Sequence, residues 1–220
     1  MAIMATDSGG GDFKLATPGN HPAVCTMVAD LGKQRVQSQM FGDSVKHQVY
    51  IRWELTDEPF EWEDRNTGEQ KTGFMSIGKT YTLSLHENAT LRAVLESWRG
   101  RPFTEEERKG FDISKLAGAP CLVNVAHEVG NDGKTRAKVS AVTPLMKGME
   151  KPQPSAPPIV YDDENLPAWD HLPEWLQKKL EEQVKDEPAN GSQGAALQHA
   201  DLDDDIPFMS NDPALEYRVR

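Results

Sequence analysis

A regular alternation of apolar and polar positions marks the clearest predicted strand of the chain. In SVKHQVYIRWEL (44–55), every second residue from Val45 to Leu55 is apolar or histidine, and those between are polar or amphipathic. This period of two predicts a strand with one face against a core. Similar runs predict strands at 21–36, 72–85, 120–128 and 134–142, with a bend at Gly78 in the third. The sequence GNDGK predicts a hairpin turn between the last two strands.

Between the third and fourth strands the period changes to that of a helix. In NATLRAVLESWRG (88–100), four apolar residues share one helical face: Leu91, Val94, Leu95 and Trp98. Gly100 is placed to end this helix, and Thr104 with Glu107 forms a capping-box pattern for a short second one. The order is three strands, helix, two strands.

This order predicts an all-β fold with one or two short helices. We interpret residues 21–148 as an OB-fold five-stranded barrel (β-β-β-α-β-β), preceded by a flexible arm over 1–20. A β-sandwich or an α+β sheet shares the same element order. The barrel is favoured because its helix falls where the OB-fold requires one.

After residue 148 the composition changes. Residues 149–171 contain KPQPSAPP and predict a Pro-rich linker, 172–186 a short amphipathic helix, and 187–220 a disordered acidic tail. The helix either packs on the barrel or serves partner docking or self-association, and its apolar side carries Leu172, Trp175, Leu176 and Leu180. Residues 1–150 carry 18 Lys and Arg against 20 Asp and Glu, a net −2, whereas 151–220 carry 6 against 15, a net −9.

The sequence gives no sign of catalysis, cofactor or metal. It contains no P-loop, no GxGxxG after a strand, no HExxH and no GxSxG, and its six histidines lack metal-ligand spacing. Cys25 and Cys121 have no CxxC partner and are expected to be buried strand residues. Without a signal-peptide pattern or a long apolar run, we expect a non-enzymatic protein of the cytoplasm, with no membrane partner.

What the predicted barrel offers is a surface for single-stranded nucleic acid. Such binding combines cations that follow the phosphates with aromatic rings that stack on bases. Candidate residues lie on the second, third and fifth strands and at or after the end of the helix: Lys46, Tyr50, Arg52, Lys79, Tyr81, Arg99, Arg101, Phe103, Lys134, Arg136 and Lys138. Trp53 and Trp98 continue apolar faces and are assigned to the core. The arginines at 52, 99 and 101 could equally pair with loop carboxylates.

The stretch DLDDDIPF (201–208) resembles the acidic tip of bacterial single-stranded DNA-binding proteins. In that family an OB barrel binds the strand and the tip docks into replication and repair proteins. The matching residues are Asp203, Asp204, Asp205, Ile206, Pro207 and Phe208. Over roughly residues 20–148, the stretches LSLHENATLRAVLESWRGRPFTEEERKGFD and GAPCLVNVAHEVGNDGKTRAKVSAV are similar to tailed-bacteriophage and prophage replication proteins of this type.

The resemblance implies a protein that coats single-stranded DNA in phage replication or recombination, in the cytoplasm of a bacterial host. It also implies recruitment of replication and repair proteins through residues 203–208, and it leaves homo-oligomerisation open. One departure is that twelve residues follow Phe208, whereas in the family this Phe ends the chain and its carboxylate is recognised. The rival expectation is an OB-type interaction or recombination-accessory module with little DNA contact, which the near-neutral barrel region favours; strand annealing is a third.

Overall fold

A computed structural model describes residues 14–38, 42–63, 68–162 and 166–184 of the chain. The first three strands form an antiparallel meander: β1 (Gly19–Ser38), β2 (Gly42–Glu63) and β3 (Gln70–Thr82). The predicted alternation holds from Val49 onward, since Val49, Ile51 and Trp53 of β2 are buried in the interior, whereas Val45, predicted on the same side, is 53% exposed. β2 runs beyond the predicted end at Leu55 because a register shift between Leu55 and Pro59 lets pairing with β3 resume.

Two short helices follow β3, with the predicted ends. α1 (Thr90–Arg99) stops at Gly100, whose left-handed φ of 67° lets its N–H reach the carbonyls of the last turn. α2 (Glu105–Lys109) begins at Thr104, which forms a capping box with Glu107. A 3-10 turn at Ile113–Leu116 then leads to the fourth strand.

The last two barrel strands complete an OB-like arrangement. β4 (Pro120–Val129) pairs antiparallel with the start of β1, and β5 (Thr135–Thr143) pairs with β4 through a tight hairpin. The sheet order is β3-β2-β1-β4-β5, and the two ends of this path contact each other, with α1 touching both. The predicted mostly-β fold is confirmed as a curled antiparallel half-barrel of OB-like form.

One apolar cluster fills the interior of the curled sheet, where Leu91, Leu95 and Trp98 of α1 pack against side chains of all five strands. Trp53 and Trp98 lie 5.8 Å apart within it, as core residues. The thiols of Cys25 and Cys121 are buried there as well, and burial raises the pKa of the Cys25 thiol to about 12. Neither cysteine is therefore suited to thiolate chemistry.

The N-terminal boundary differs from the predicted arm over 1–20. Residues 1–13 lie outside the described residues, but from Lys14 onward the backbone approaches the sheet. Ala16 is buried, and the Thr17 hydroxyl donates a hydrogen bond to the Glu58 carboxylate. His21 Nε2 lies 2.8 Å from the carbonyl of Thr17. These contacts hold the end of the predicted arm against β2.

The C-terminal boundary differs as well, because the predicted linker and helix form a second layer. A sixth strand, β6 (Ile159–Tyr161), pairs in parallel with β1 at Met27–Ala29, just past the segment of β1 paired with β4. A 3-10 segment (Leu166–His171) and α3 (Glu174–Glu181) follow. The second apolar cluster lies on the outside of the sheet and contains Met27, Ala29, Leu31, Tyr161, Ala168, Leu172, Leu176 and Leu180. Of the two expectations for α3, the structure shows the packed helix.

Candidate nucleic-acid interface

The outward side of β2, called here the outer face, carries Lys46, Tyr50 and Arg52, as the alternation predicted. Tyr50 and Arg52 lie opposite Ala29 and Met27 of β1, which belong to the outer cluster and not to the interior. Arg52 Nε donates to the Thr26 hydroxyl at 3.2 Å. Within the described ranges, no carboxylate forms an ion pair with Arg52.

Tyr50 lies flat across the neighbouring strand. Its hydroxyl sits over Gly78 of β3, where an added Cβ would overlap the hydroxyl and come within 2.8 Å of the ring carbon Cε2. Gly78 is therefore needed for this close approach. Burial raises the pKa of the Tyr50 hydroxyl, and the positive charge of Arg52 partly opposes that shift. Because α3 covers this part of the sheet, Tyr50 is only partly accessible.

Trp175 of α3 contacts Tyr50 directly. The two ring centroids are 5.0 Å apart with an interplanar angle of 85°, an edge-to-face pair. Trp175 is 49% exposed, whereas Leu172, Leu176 and Leu180 of the same predicted apolar side are buried. The sequence interpretation placed all four together. Trp175 instead stands at the border of the apolar side, because it lies outside the i, i+4 row that the leucines follow.

The candidates Lys79 and Tyr81 of β3 lie on the other side of the sheet. In the register they face Ile51 and Val49, so they point inward, and Tyr81 is 3% exposed in the interior cluster. The Lys79 ammonium lies 5.5 Å from the centre of the Tyr81 ring. A ring buried in this way cannot stack on a base while the interior stays closed.

Arg99, Arg101 and Phe103 form a structural junction between α1 and α2. Phe103 is 6% exposed and packs 5.1 Å from Phe111, and the Arg99 guanidinium lies 4.4 Å from the Phe103 ring centre. Both arginines donate to the Glu107 carboxylate, Arg101 at 2.7 and 3.0 Å. These bonds, led by that from Arg101, hold the pKa of Glu107 at about 2. The carboxylate-paired alternative therefore describes Arg99 and Arg101.

The third candidate group, Lys134, Arg136 and Lys138, lies on the β4–β5 hairpin. Arg136 makes two hydrogen bonds to Asp132, at 2.6 and 2.9 Å, and Lys138 lies 2.5 Å from Glu128. β5 is separated from β2 by β1 and β4 in the sheet order. The structure thus does not gather the eleven candidates into one surface, and only Lys46, Tyr50 and Arg52 share the outer face.

Further aromatic and basic side chains were missed by the sequence reasoning. Phe74 of β3 is 37% exposed opposite Pro59, and Lys71 lies on the same extension of the β2–β3 hairpin. The signal that could have found them is the continuation of both strands past the bulge. The partner-docking residues Asp203, Asp204, Asp205, Ile206, Pro207 and Phe208 lie outside the described residues.

The described side chains show no arrangement for metal binding. No group of three or more His, Cys, Asp or Glu residues could hold an ion within the described part of the chain. His47 Nε2 lies 2.5 Å from Asp30 Oδ1, and His127 Nε2 lies 2.8 Å from the Ala16 carbonyl. Among the helices described, none has the length and apolar character to cross a bilayer.

A comparison with protein-family models finds no match, and neither does a comparison with curated proteins. Fold and surface define an OB-like domain whose outer face is partly covered by its own C-terminal layer. The similarity to single-stranded DNA-binding proteins therefore stays a prediction carried by the sequence motifs.

Proposed function

We propose that this chain is a non-catalytic single-stranded DNA-binding protein that coats unwound strands without strong sequence preference. The observation that carries the proposal is the outer face of an OB-like sheet. There Arg52 has no carboxylate partner in the described ranges and lies near Tyr50, whose ring contacts Trp175. OB-folds commonly bind oligonucleotides with the face of strands 2 and 3. A cation beside aromatic rings fits phosphate contact together with base stacking.

The setting we propose is phage DNA replication or recombination in the cytoplasm of a bacterial host. Residues 203–208 would dock onto basic surfaces of replication and repair proteins, with the carboxylates steering the encounter and Ile206 and Phe208 giving a small apolar anchor. This part rests on the sequence resemblance. Partner binding by the full chain and by a chain ended after Phe208 would show whether the last twelve residues oppose docking.

The decisive experiment is a titration of labelled single-stranded and double-stranded oligonucleotides with the full-length protein. We expect preference for the single strand and a salt slope of about −0.7 per phosphate neutralised. Arg52→Ala should weaken binding and flatten that slope. Arg108→Ala, an exposed arginine on α2 that pairs with Glu105, is the matched control and should titrate as wild type. Equal affinity for both oligonucleotides, or none for either, would refute the proposal.

A second candidate is an OB-type interaction module that tethers a polymerase, helicase or nuclease. It is favoured by the net charge of −2 over residues 1–150 and by the pairing of Arg99, Arg101, Arg136 and Lys138 with carboxylates. Partner capture that requires residues 201–208, without any DNA shift, would select it. Strand annealing in addition to binding would indicate a recombination role.

The structure also determines where a tail truncation should end. A chain cut near residue 150 would lose β6 and α3 and expose Met27, Ala29 and Leu31 on the outward side of β1. A chain cut after residue 184 keeps every described element. Tighter DNA binding by the latter would indicate that the acidic tail competes with DNA for the cations.

A further inference from the structure

We infer that Trp175, on a helix outside the barrel, is a base-stacking residue that extends the nucleic-acid interface onto α3. The inference rests on the proposed function and assigns a specific contact to it. Exposed large apolar side chains within the described part of the chain are Val45, Phe74, Val129, Met146 and Trp175. Of the two aromatics among them, only Trp175 adjoins the outer-face residue Tyr50.

α3 adjoins the outer face as a fixed part of the domain, because it is hydrogen-bonded to β1 as well as packed on it. Leu176 is fully buried against the outer side of β1. The Gln34 side-chain amide donates to the Lys179 carbonyl at 3.0 Å, and the Val184 N–H donates to the Lys33 carbonyl at 2.7 Å. These bonds tie α3 and the segment after it to β1, and the packing against β1 and Tyr50 holds Trp175 beside the sheet.

The two rings of the Tyr50–Trp175 pair have different roles. Tyr50 is only partly accessible, with its hydroxyl over Gly78 and its ring against the indole. Trp175 has about half of its surface exposed, at 49%. An incoming base would therefore meet the indole, while Tyr50 supports it from below. In this arrangement Trp175 is the contact residue and Tyr50 a positioning residue.

Cations accompany the indole on the same helix. Lys178 and Lys179 follow Trp175 by three and four residues, the spacing that places side chains next to each other on a helix surface. Lys178 is exposed, and burial lowers the pKa of Lys179. Arg52, which lies on the same side of β2 as Tyr50, adds a third positive charge. An exposed ring among cations is the combination that single-stranded nucleic acid requires.

The test uses full-length protein and a labelled oligothymidylate, with binding followed by anisotropy at low salt. Trp175→Ala should weaken binding on the order of ten-fold, the scale of one lost base stack. Trp175→Phe, which keeps an aromatic ring against Tyr50, should retain most of the affinity. Met146→Ala removes a side chain that is 63% exposed after β5 and should titrate as wild type.

Intrinsic fluorescence separates contact from a merely structural role. Stacking on a base should quench the indole emission of the wild type, and Trp175→Phe should lose that quench while still binding. Wild-type binding with an unchanged Trp175→Ala titration, or with an equal quench in Trp175→Phe, would overturn the inference and leave the proposed function standing. If the wild type bound no oligonucleotide, both the inference about Trp175 and the proposed function would be refuted.

Discussion

Replacing Leu176 by alanine should destabilise the whole described domain and not merely loosen α3. Leu176 is fully buried in the outer cluster, where it packs with Met27 and Leu31 of β1. Truncating a buried leucine costs about 2–5 kcal/mol, through lost transfer free energy and the cavity left behind. With a urea m-value of roughly 2 kcal/mol/M, the unfolding midpoint should fall by about 1–2.5 M.

The assay is urea unfolding followed both by far-UV circular dichroism and by tryptophan fluorescence. Leu95→Ala is the matched control, since Leu95 is equally buried but belongs to the interior cluster. Because β6 pairs with β1 and α3 is bonded to β1, we expect the two variants to lose stability to a similar extent. Both probes should report a single transition in each variant.

A different outcome would refute the reasoning. If Leu176→Ala left the circular-dichroism midpoint unchanged, and fluorescence showed a separate early transition, α3 would be an independently unfolding attachment. The outer cluster would then be a docking contact and not part of the cooperative core.

Three further predictions concern local geometry. Gly78→Ala should cost about 1–3 kcal/mol of stability, because the added Cβ overlaps Tyr50, and adding Tyr50→Leu should recover part of that loss; strictly additive losses would contradict this. Glu107 has a pKa of about 2 against its ordinary 4.5, so its ionised carboxylate stabilises the fold above about pH 4.5 and this contribution is lost toward pH 2. The melting temperature of Glu107→Gln should therefore vary less between pH 4.5 and pH 2 than that of the wild type. Burial raises the pKa of the Cys25 and Cys121 thiols, so neither should react with an aromatic disulfide reagent near about pH 8 until urea unfolds the chain, and rapid labelling of folded protein would exclude the buried placement.

The barrel was largely predictable because local sequence patterns indicate its strands and helices. The alternation in β2, the capping box at Thr104 and the stop at Gly100 depend on residues that are neighbours in sequence. The continuation of β2 to Glu63 was missed because it depends on a bulge, where pairing with a distant strand overrides the broken alternation.

The candidate site was less predictable, since the type of a residue does not determine which side chains it contacts in the folded chain. Arg101 and Arg136 look alike in sequence to Arg52, yet each of the first two has a carboxylate partner at 3.0 Å or less. The sequence makes Tyr81 a candidate for base stacking, but Tyr81 pairs with Val49 in the sheet and its side chain therefore points into the interior. Such outcomes depend on strand register and on contacts between residues far apart in the chain.

By itself, the sequence determined the order of the barrel strands and α1, the inward side of β2 and the place of the acidic motif DDDIPF. Only the tertiary structure decided that a segment read as linker adds a strand to β1, and that α3 brings Trp175 onto Tyr50. The physical reason is burial: Met27, Ala29 and Leu31 make the outer side of β1 apolar, and Leu172, Leu176 and Leu180 remove it from water. The apolar side of α3 is visible in sequence, but its pairing with the outer side of β1 is a property of the folded chain.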